Sequence, residues 1–322
     1  MPKFLRYLLI IIAVLVLLIG CFVAFIAIRG IPHYTAEKIT VKVEPNAARL
    51  ERGQVLVSLL CSNCHMDHNT GKLTGREMAE VTQFGRIFSK NITNDREHGI
   101  GKWTDGEIIY LLRTGLKPDG TYLPPYMAKV PHMSDEDVYS IISFLRSDHA
   151  WVAADNTVHP PTSPSFLTKF LCGMGIMKPF PYPKSVIPQP DSNNAVELGR
   201  YVAFNFECFS CHSADFKTND FLNPEKSDGF FGGGNRFKMP DGSVVQSLNI
   251  TMDEETGIGK WTEDEFVKAV KSGILPGNQH ALRNPPMIPY AGLTDKEVKA
   301  IHAYLSTIPK IKNKVDRKLP AD

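Results

Sequence analysis

The sequence lacks a surplus of charge of either sign. Its 36 Lys and Arg residues nearly balance 34 Asp and Glu residues, so the formal net charge is only +2. Proteins that bind nucleic acid carry clustered positive charge, and we therefore exclude nucleic acid as a partner. The glycine-rich segment 229–238 also lacks the Gly-Lys-Ser/Thr ending of a phosphate-binding loop, which argues against a nucleotide site.

Long strands with alternating apolar and polar residues are missing as well. Apolar residues instead recur at helical spacing in segments 49–60 and 195–206. Capping boxes at Thr104, Thr262 and Thr294, and a related pattern at Ser134, indicate where further helices begin. The sequence therefore predicts an all-α fold.

Charge is also missing from a long segment near the amino terminus. Residues 7–28 contain no charged side chain and would form a helix of about 33 Å, enough to cross a bilayer. Lys3 and Arg6 precede this run, which predicts a single-pass anchor with the remainder of the chain on the periplasmic side of the cell membrane. A lipoprotein-processing site ending at Cys21 is the alternative, but the length of the run favours an anchor.

Cysteine is scarce, and four of the six cysteines form two C-x-x-C-H motifs, at residues 61–65 and 208–212. A disulfide inside either motif would close a very small, strained loop. A zinc ribbon needs a second cysteine pair in each half, and a thioredoxin-like dithiol needs a βαβ pattern; the sequence has neither. C-x-x-C-H is the attachment signature of c-type haem, so we predict two covalently bound haem c groups, each with iron. Cys172 is predicted to be a small buried hydrophobic residue.

The two motifs belong to an internal repeat. Segment 91–107 reads NITNDREHGIGKWTDGE, and segment 249–265, 158 residues later, reads NITMDEETGIGKWTEDE; segments 134–145 and 294–305 also match. A tandem duplication of this length predicts two domains. We expect a transmembrane anchor at 1–30, a first cytochrome c domain at 31–149, a Pro-rich linker at 150–192, a second cytochrome c domain at 193–309 and a basic tail at 310–322.

The motif residues divide into covalent anchors and iron ligands. Sulfur atoms one helical turn apart can form thioethers on one edge of a porphyrin, and the adjacent histidine then lies under the iron. The predicted anchors are Cys61, Cys64, Cys208 and Cys211, and the predicted proximal iron ligands are His65 and His212.

A second axial ligand decides the chemistry of the iron, because methionine closes the site and favours electron transfer. Met127 and Met287 each lie seven residues before a helix-capping residue, Ser134 or Thr294, in a Pro-rich loop. We predict that both methionines are distal ligands. Rivals without a counterpart in the other copy are His132, Met133, Met239, Met252 and His280.

Two further pairs recur in the repeat. Trp103 and Trp261, each in GIGKW, are expected to pack on the haem edge or donate to a propionate, with plain core packing as the alternative. Asn91 and Asn249 open the NIT segments, and we expect these polar loops to brace the haem edge.

The order of motif, NIT–GIGKWT segment, Pro-Pro loop and final helix resembles the cytochrome c subunits of bacterial membrane-bound alcohol, aldehyde and gluconate dehydrogenases. The resemblance covers about residues 46–150 and 193–309. It implies the same anchors and ligands as above. Subunits of that family typically carry three haem domains, whereas this chain has two C-x-x-C-H motifs.

These features predict a membrane-anchored dihaem cytochrome c of a respiratory chain, a subunit of a larger complex without catalysis of its own. It would relay electrons outside the cytoplasm between a dehydrogenase or quinol-oxidising complex and a terminal oxidase or soluble cytochrome. A dihaem peroxidase with one open iron is the alternative, and a haem-based sensor is a second rival. The paired methionines argue against the peroxidase.

Overall fold

The computed structural model describes residues 2–238, 243–278 and 290–315. In chain order its helices are α1 (Lys3–Arg29), α2 (Ala47–Leu60), α3 (Ser62–His65), α4 (Asp105–Thr114), α5 (Asp135–Leu145), α6 (Phe166–Gly173), α7 (Ala195–Asn205), α8 (Cys208–His212), α9 (Glu263–Ser272) and α10 (Asp295–Leu305). Short strands pair antiparallel, β1 (Gly85–Arg86) with β2 (Ser163–Pro164) and β3 (Arg236–Lys238) with β4 (Val244–Gln246). The predicted all-α fold is confirmed in part: helices dominate, but the described residues also contain these short strands.

Polar side chains begin the helices where the sequence predicts them. Thr104, Thr262 and Thr294 each accept the backbone N–H of the glutamate three residues later, and that glutamate accepts the backbone N–H of the threonine. All three capping boxes are thus confirmed. Ser134 likewise accepts the N–H of Asp137 at 3.1 Å, ahead of α5. These bonds satisfy N–H groups that have no partner within the first helical turn.

The chain forms two compact units, and both are built from separated segments. The first unit comprises Met1–Glu44, Cys61–Lys129 and Leu145–Tyr182; the second comprises Pro45–Leu60, Val130–Phe144 and Pro183–Asp322. Helix α2, which precedes the first C-x-x-C-H motif, and nearly all of α5, the last helix of the first copy of the repeat, are therefore grouped with the second unit. The tandem domains and their boundaries, which were inferred from the repeat, stay a prediction.

Within the second unit, glycine allows two pairs of helices to approach closely. A Cβ atom on Gly53 of α2 would lie 2.0 Å from the carbonyl oxygen of Ser140 in α5. A Cβ atom on Gly199 of α7 would lie 1.8 Å from the carbonyl oxygen of Ala300 in α10. Ser140 and Ala300 occupy the same place in the repeat, so both copies use a glycine to bring the helix before their motif against their last helix.

In the first unit, α1 is long and apolar enough to cross a membrane, and within this helix only Ile26 is buried. Residues after Leu145 pack onto the unit: the Leu73 and Asn94 N–H groups donate to the carbonyls of Trp151 and Val152. Cys172 of α6 is fully buried beside Tyr110, Leu116 and Tyr122, which confirms its predicted packing role.

Candidate haem sites

Both C-x-x-C-H motifs fold as short helical turns, α3 and α8. In the first, the His65 N–H donates to the Cys61 carbonyl at 2.8 Å, so the motif closes one turn. Residues three positions apart in a helix lie on the same face, which directs the two sulfur atoms of each motif to one side. None of these four cysteines forms a disulfide, as expected from the sequence.

The thiols occupy apolar surroundings. Desolvation raises the pKa of Cys61 and Cys208 to about 12 and that of Cys211 to about 11. A redox dithiol instead has a cysteine pKa lowered by nearby positive charge, and zinc binds thiolates. The surroundings of these three thiols therefore favour cysteines that lie against an apolar group over thiolates stabilised by positive charge.

The motif histidines are oriented by the same interaction in both copies. His65 Nδ1 lies 2.7 Å from the Lys90 carbonyl oxygen, and His212 Nδ1 lies 2.8 Å from the Leu248 carbonyl oxygen. A carbonyl only accepts, so Nδ1 carries the proton and Nε2 keeps its lone pair for a metal. Desolvation also lowers the pKa of His65, which keeps the ring neutral. Lys90 and Leu248 hold the same place in the repeat.

The accepting carbonyls are followed directly by Asn91 and Asn249, both buried. Each side-chain oxygen accepts the backbone N–H and the hydroxyl of the threonine two residues later. The Asn91 amide donates to the Asp155 carbonyl at 2.7 Å, and the Asn249 amide donates to the Ile311 carbonyl at 2.6 Å. Both amides thus hold the loop that carries the histidine's acceptor. A direct role for them at a haem edge stays a prediction.

A cavity in the second unit brings four of the predicted residues of that copy together. It has an empty volume of about 1080 Å³, including its opening to solvent, and Cys208, Cys211, His212 and Trp261 all line it. Ligand pockets typically measure roughly 300–1,000 Å³ and are lined mainly by apolar side chains. The remaining walls are largely of that kind and include Phe206, Phe237, Ile250, Phe266, Leu275, Leu293 and Ile301. The donors and the apolar lining fit a haem c group.

Tyr290 also lines this cavity, and the sequence reasoning missed it. Its hydroxyl donates to the Phe206 carbonyl at 3.3 Å, and burial raises its pKa well above 10. The first copy has Val130 at the matching place, three residues after Met127. A polar side chain that replaces an apolar one between aligned copies was the signal that could have identified it.

In the first unit, Trp103 and Met127 lie in loops, outside the helices and strands. Trp103 is half-buried; its N–H donates to the Ile100 carbonyl, and its own carbonyl accepts from Arg146. Met127 is half-buried, and its N–H donates to the Pro124 carbonyl at 3.1 Å. The role of each at a haem stays a prediction.

The predicted distal ligand of the second copy is Met287. Met287 lies outside the described residues, and so do two of its rivals, Met239 and His280. Of the other rivals, His132 places Nε2 3.0 Å from the Phe221 carbonyl, Met133 is fully buried, and Met252 is half-buried.

Comparisons with known proteins agree with this chemistry. The family model described as cytochrome c matches residues 50–148. The fructose dehydrogenase cytochrome subunit of Gluconobacter japonicus is 27% identical over 273 residues, 81% of this chain and 52% of the relative. The cytochrome c subunit of a quinone alcohol dehydrogenase from Gluconobacter oxydans is 26% identical over 278 residues, 83% of this chain and 56% of the relative. A dihaem cytochrome c-type protein of Cereibacter sphaeroides is 29% identical over 267 residues, 78% of this chain and 82% of the relative.

This chain spans about half the length of the two dehydrogenase subunits. Those relatives are cytochrome subunits, which are electron-transfer components and not catalytic subunits. A cytochrome c domain implies covalently bound haem c with iron. The chain contains a cytochrome c domain and is homologous to the cytochrome c subunits of dehydrogenases and to a dihaem cytochrome c.

Proposed function

We propose that the protein is a dihaem cytochrome c, anchored in the cell membrane by α1, with both haem groups on the periplasmic side. The observation that carries the proposal is the matched support of His65 and His212, each bonded through Nδ1 to a backbone carbonyl at the same place in the repeat. A single haem would require this support only once. When bound, haem c supplies a one-electron iron couple.

The residues of the two copies have parallel roles in this proposal. The cysteine sulfurs would hold the haem covalently, and the histidine Nε2 and the methionine sulfur would bind its iron. The apolar walls of the second-unit cavity would leave few polar groups and water molecules to reorient when the charge of the iron changes. The anchors are Cys61, Cys64, Cys208 and Cys211, the proximal ligands are His65 and His212, the distal ligands are Met127 and Met287, and Trp103, Trp261, Asn91 and Asn249 support the ring edge.

The protein would relay electrons between a dehydrogenase or quinol-oxidising complex and a terminal oxidase or soluble cytochrome. The names of its relatives, which are cytochrome subunits of dehydrogenases, support a place in a larger redox complex. Mild purification from membranes should recover a redox partner, and that partner's substrate or quinol should reduce the haem. Failure of any copurifying partner to reduce it would contradict the relay.

The number of haem groups is the first test. After expression with the cytochrome c maturation machinery, the haem content should be two per chain. Replacement of Cys61 and Cys64 by Ala should leave one, and so should replacement of Cys208 and Cys211. Cys172→Ala is the matched control, because that cysteine is buried in an apolar cluster outside both motifs and should leave two. A content of one haem in the unaltered protein would refute the proposal.

The distal ligands can be read from the spectrum of the oxidised protein. Methionine ligation gives a charge-transfer band at the red end of the spectrum, and Met127→Leu and Met287→Leu should each remove about half of it. Met133→Leu is the control, because Met133 is a buried core residue. A high-spin signal in the unaltered protein would point to an open iron. Neither the described residues nor the comparisons support the peroxidase alternative.

A further inference from the structure

Helix α6 and the residues just after it leave several large apolar side chains exposed. Its buried residues are Thr168 and Cys172, whereas Phe166 and Leu167 are 45% and 58% exposed. Met174 and Ile176, just after the helix, are 54% and 68% exposed. A soluble surface helix turns its apolar face to the core. The segment 166–176, which we call the α6 segment, instead presents large apolar side chains outward.

The α6 segment packs against the carboxyl-terminal end of α1. The rings of Phe22 and Phe170 meet edge to face at 6.2 Å. Ile26, the one buried residue of α1, approaches Gly173 so closely that a Cβ atom there would lie 3.1 Å from the Ile26 Cδ1 atom. Lys169 Nζ donates to the Ala27 carbonyl at 3.2 Å and so satisfies one of the carbonyls left open in the last turn of α1.

The other side of α6 is held by the first unit. The Thr168 hydroxyl donates to the Phe84 carbonyl at 3.0 Å, and the Ser165 N–H donates to the same carbonyl at 2.7 Å. Cys172 belongs to the apolar cluster that contains Tyr110 and Tyr122. The α6 segment is therefore fastened to the unit on one side and to α1 on the other.

The contacts with α1 set the depth of the α6 segment, on the proposed premise that α1 crosses the bilayer. Phe22 and Ile28, near the end of the apolar run, are six residues apart, which is about 9 Å along a helix. Amphipathic helices at a membrane surface bury their apolar face roughly 5–10 Å below the headgroups. Contacts at Phe22, Ile26 and Ala27 therefore hold the α6 segment at the depth of an interfacial helix.

Exposed positive charge follows both the α6 segment and α1 along the chain. Lys178 is exposed two residues after the segment, and Arg29 is exposed at the end of α1. Lysine and arginine near a membrane boundary extend their charged groups to the headgroups while their stems stay among apolar groups.

We propose that the α6 segment is a second membrane contact, which inserts Phe166, Leu167, Met174 and Ile176 into the outer leaflet beside α1. The occupant of its apolar face is lipid, because the face continues the surface of α1 that the acyl chains would cover. The two contacts together hold the first unit at a set orientation to the membrane. A single helix would leave the unit free to swivel.

The test uses the full-length haem-loaded protein in vesicles of phosphatidylcholine with a photoactivatable diazirine in the acyl chain. Mass spectrometry then locates the lipid adducts. We expect adducts in residues 7–28 and also in the α6 segment. Val158 and Val186, which are 66% and 75% exposed outside the α6 segment, are the internal controls and should remain unlabelled. Adducts in α1 without adducts in the α6 segment would overturn this inference and leave the anchor intact.

A matched pair of variants separates insertion from folding. Leu167→Glu with Ile176→Glu should lose most labelling of the α6 segment while the protein still floats with the vesicles and keeps its haem. Val158→Glu with Val186→Glu should label like the unaltered protein. Equal labelling of the α6 segment in both double variants would refute insertion. If the unaltered protein fails to float with vesicles, the anchor itself is wrong, which is a separate failure.

Discussion

Replacement of Gly199 by Ala tests the helix packing beside the cavity that we propose as the second haem site. The added Cβ atom would lie 1.8 Å from the Ala300 carbonyl oxygen. Ordinary van der Waals contact needs about 3.4 Å, so α7 and α10 must move apart by about 1.6 Å. The obstacle is backbone, which cannot rotate aside as a side chain can. Ile301, the next residue of α10, lines the cavity and would move with it.

Two opposing effects set the size of the change. Alanine is a better helix former than glycine by up to about 1 kcal/mol. Overpacking of a filled interior costs typically about 1–3 kcal/mol, and a clash with backbone belongs at the upper end or above. We expect a net loss of about 2 kcal/mol in the free energy of unfolding, together with an altered spectrum or lower occupancy of the second haem.

Denaturant unfolding followed by circular dichroism measures the stability, and the haem content measures the occupancy. Gly20→Ala is the control, because nothing lies within 4 Å of a Cβ atom at that helical position. The reasoning would be refuted if Gly199→Ala unfolded at the same denaturant concentration as the unaltered protein and retained both haem groups.

Other changes test the polar groups. Asp137→Ala removes a buried carboxylate that pairs with Arg52. The free energy of unfolding should fall by roughly 3 kcal/mol, the low end of the range for broken buried ion pairs. An unchanged denaturation midpoint would contradict a structural role for this pair. Asn249→Leu removes the amide that bonds to four partner groups. The free energy of unfolding should fall by about 3 kcal/mol, and haem content at the proposed second site should fall too. Full haem content would show that the carbonyl that accepts from His212 needs no such support. Hydrogen bonds from a neighbouring threonine and lysine lower the pKa of Asp155 to about 2, so its contribution to stability is present above about pH 4 and lost as pH falls through 2. Asp155→Asn should flatten that part of an acid-unfolding curve, and an unaltered curve would contradict the assignment.

Much of the local structure could be predicted from the sequence because it depends on neighbours in the chain. Capping at Thr104, Thr262 and Thr294 involves residues three positions apart, and the structure confirms it at all three. The C-x-x-C-H turns are equally local. Alignment of the two copies also predicted paired loops, and the matched acceptors of His65 and His212 follow that prediction.

Contacts between distant segments could not be predicted in this way. Arg52 bonds to Glu297 at 2.7 Å across 245 residues of sequence, and no repeat or spacing indicates such a pair. The sequence predicted that Cys172 is buried, but it did not predict which of the neighbouring side chains face outward. In the structure Thr168 and Cys172 are the buried residues of α6. The Thr168 hydroxyl donates to the Phe84 carbonyl and Cys172 packs in the apolar cluster, and these two contacts decide which face turns inward.

The sequence by itself determined the chemistry of this protein. Two cysteines and a histidine within one helical turn are close together in the sequence, so the motif can be recognised from sequence spacing alone. Tertiary structure alone decided what surrounds that motif: Tyr290 at the cavity wall, the grouping of α2 and α5 with the second unit, and the outward apolar face of α6. Those features depend on which surfaces exclude water together, and that is a property of the folded chain as a whole.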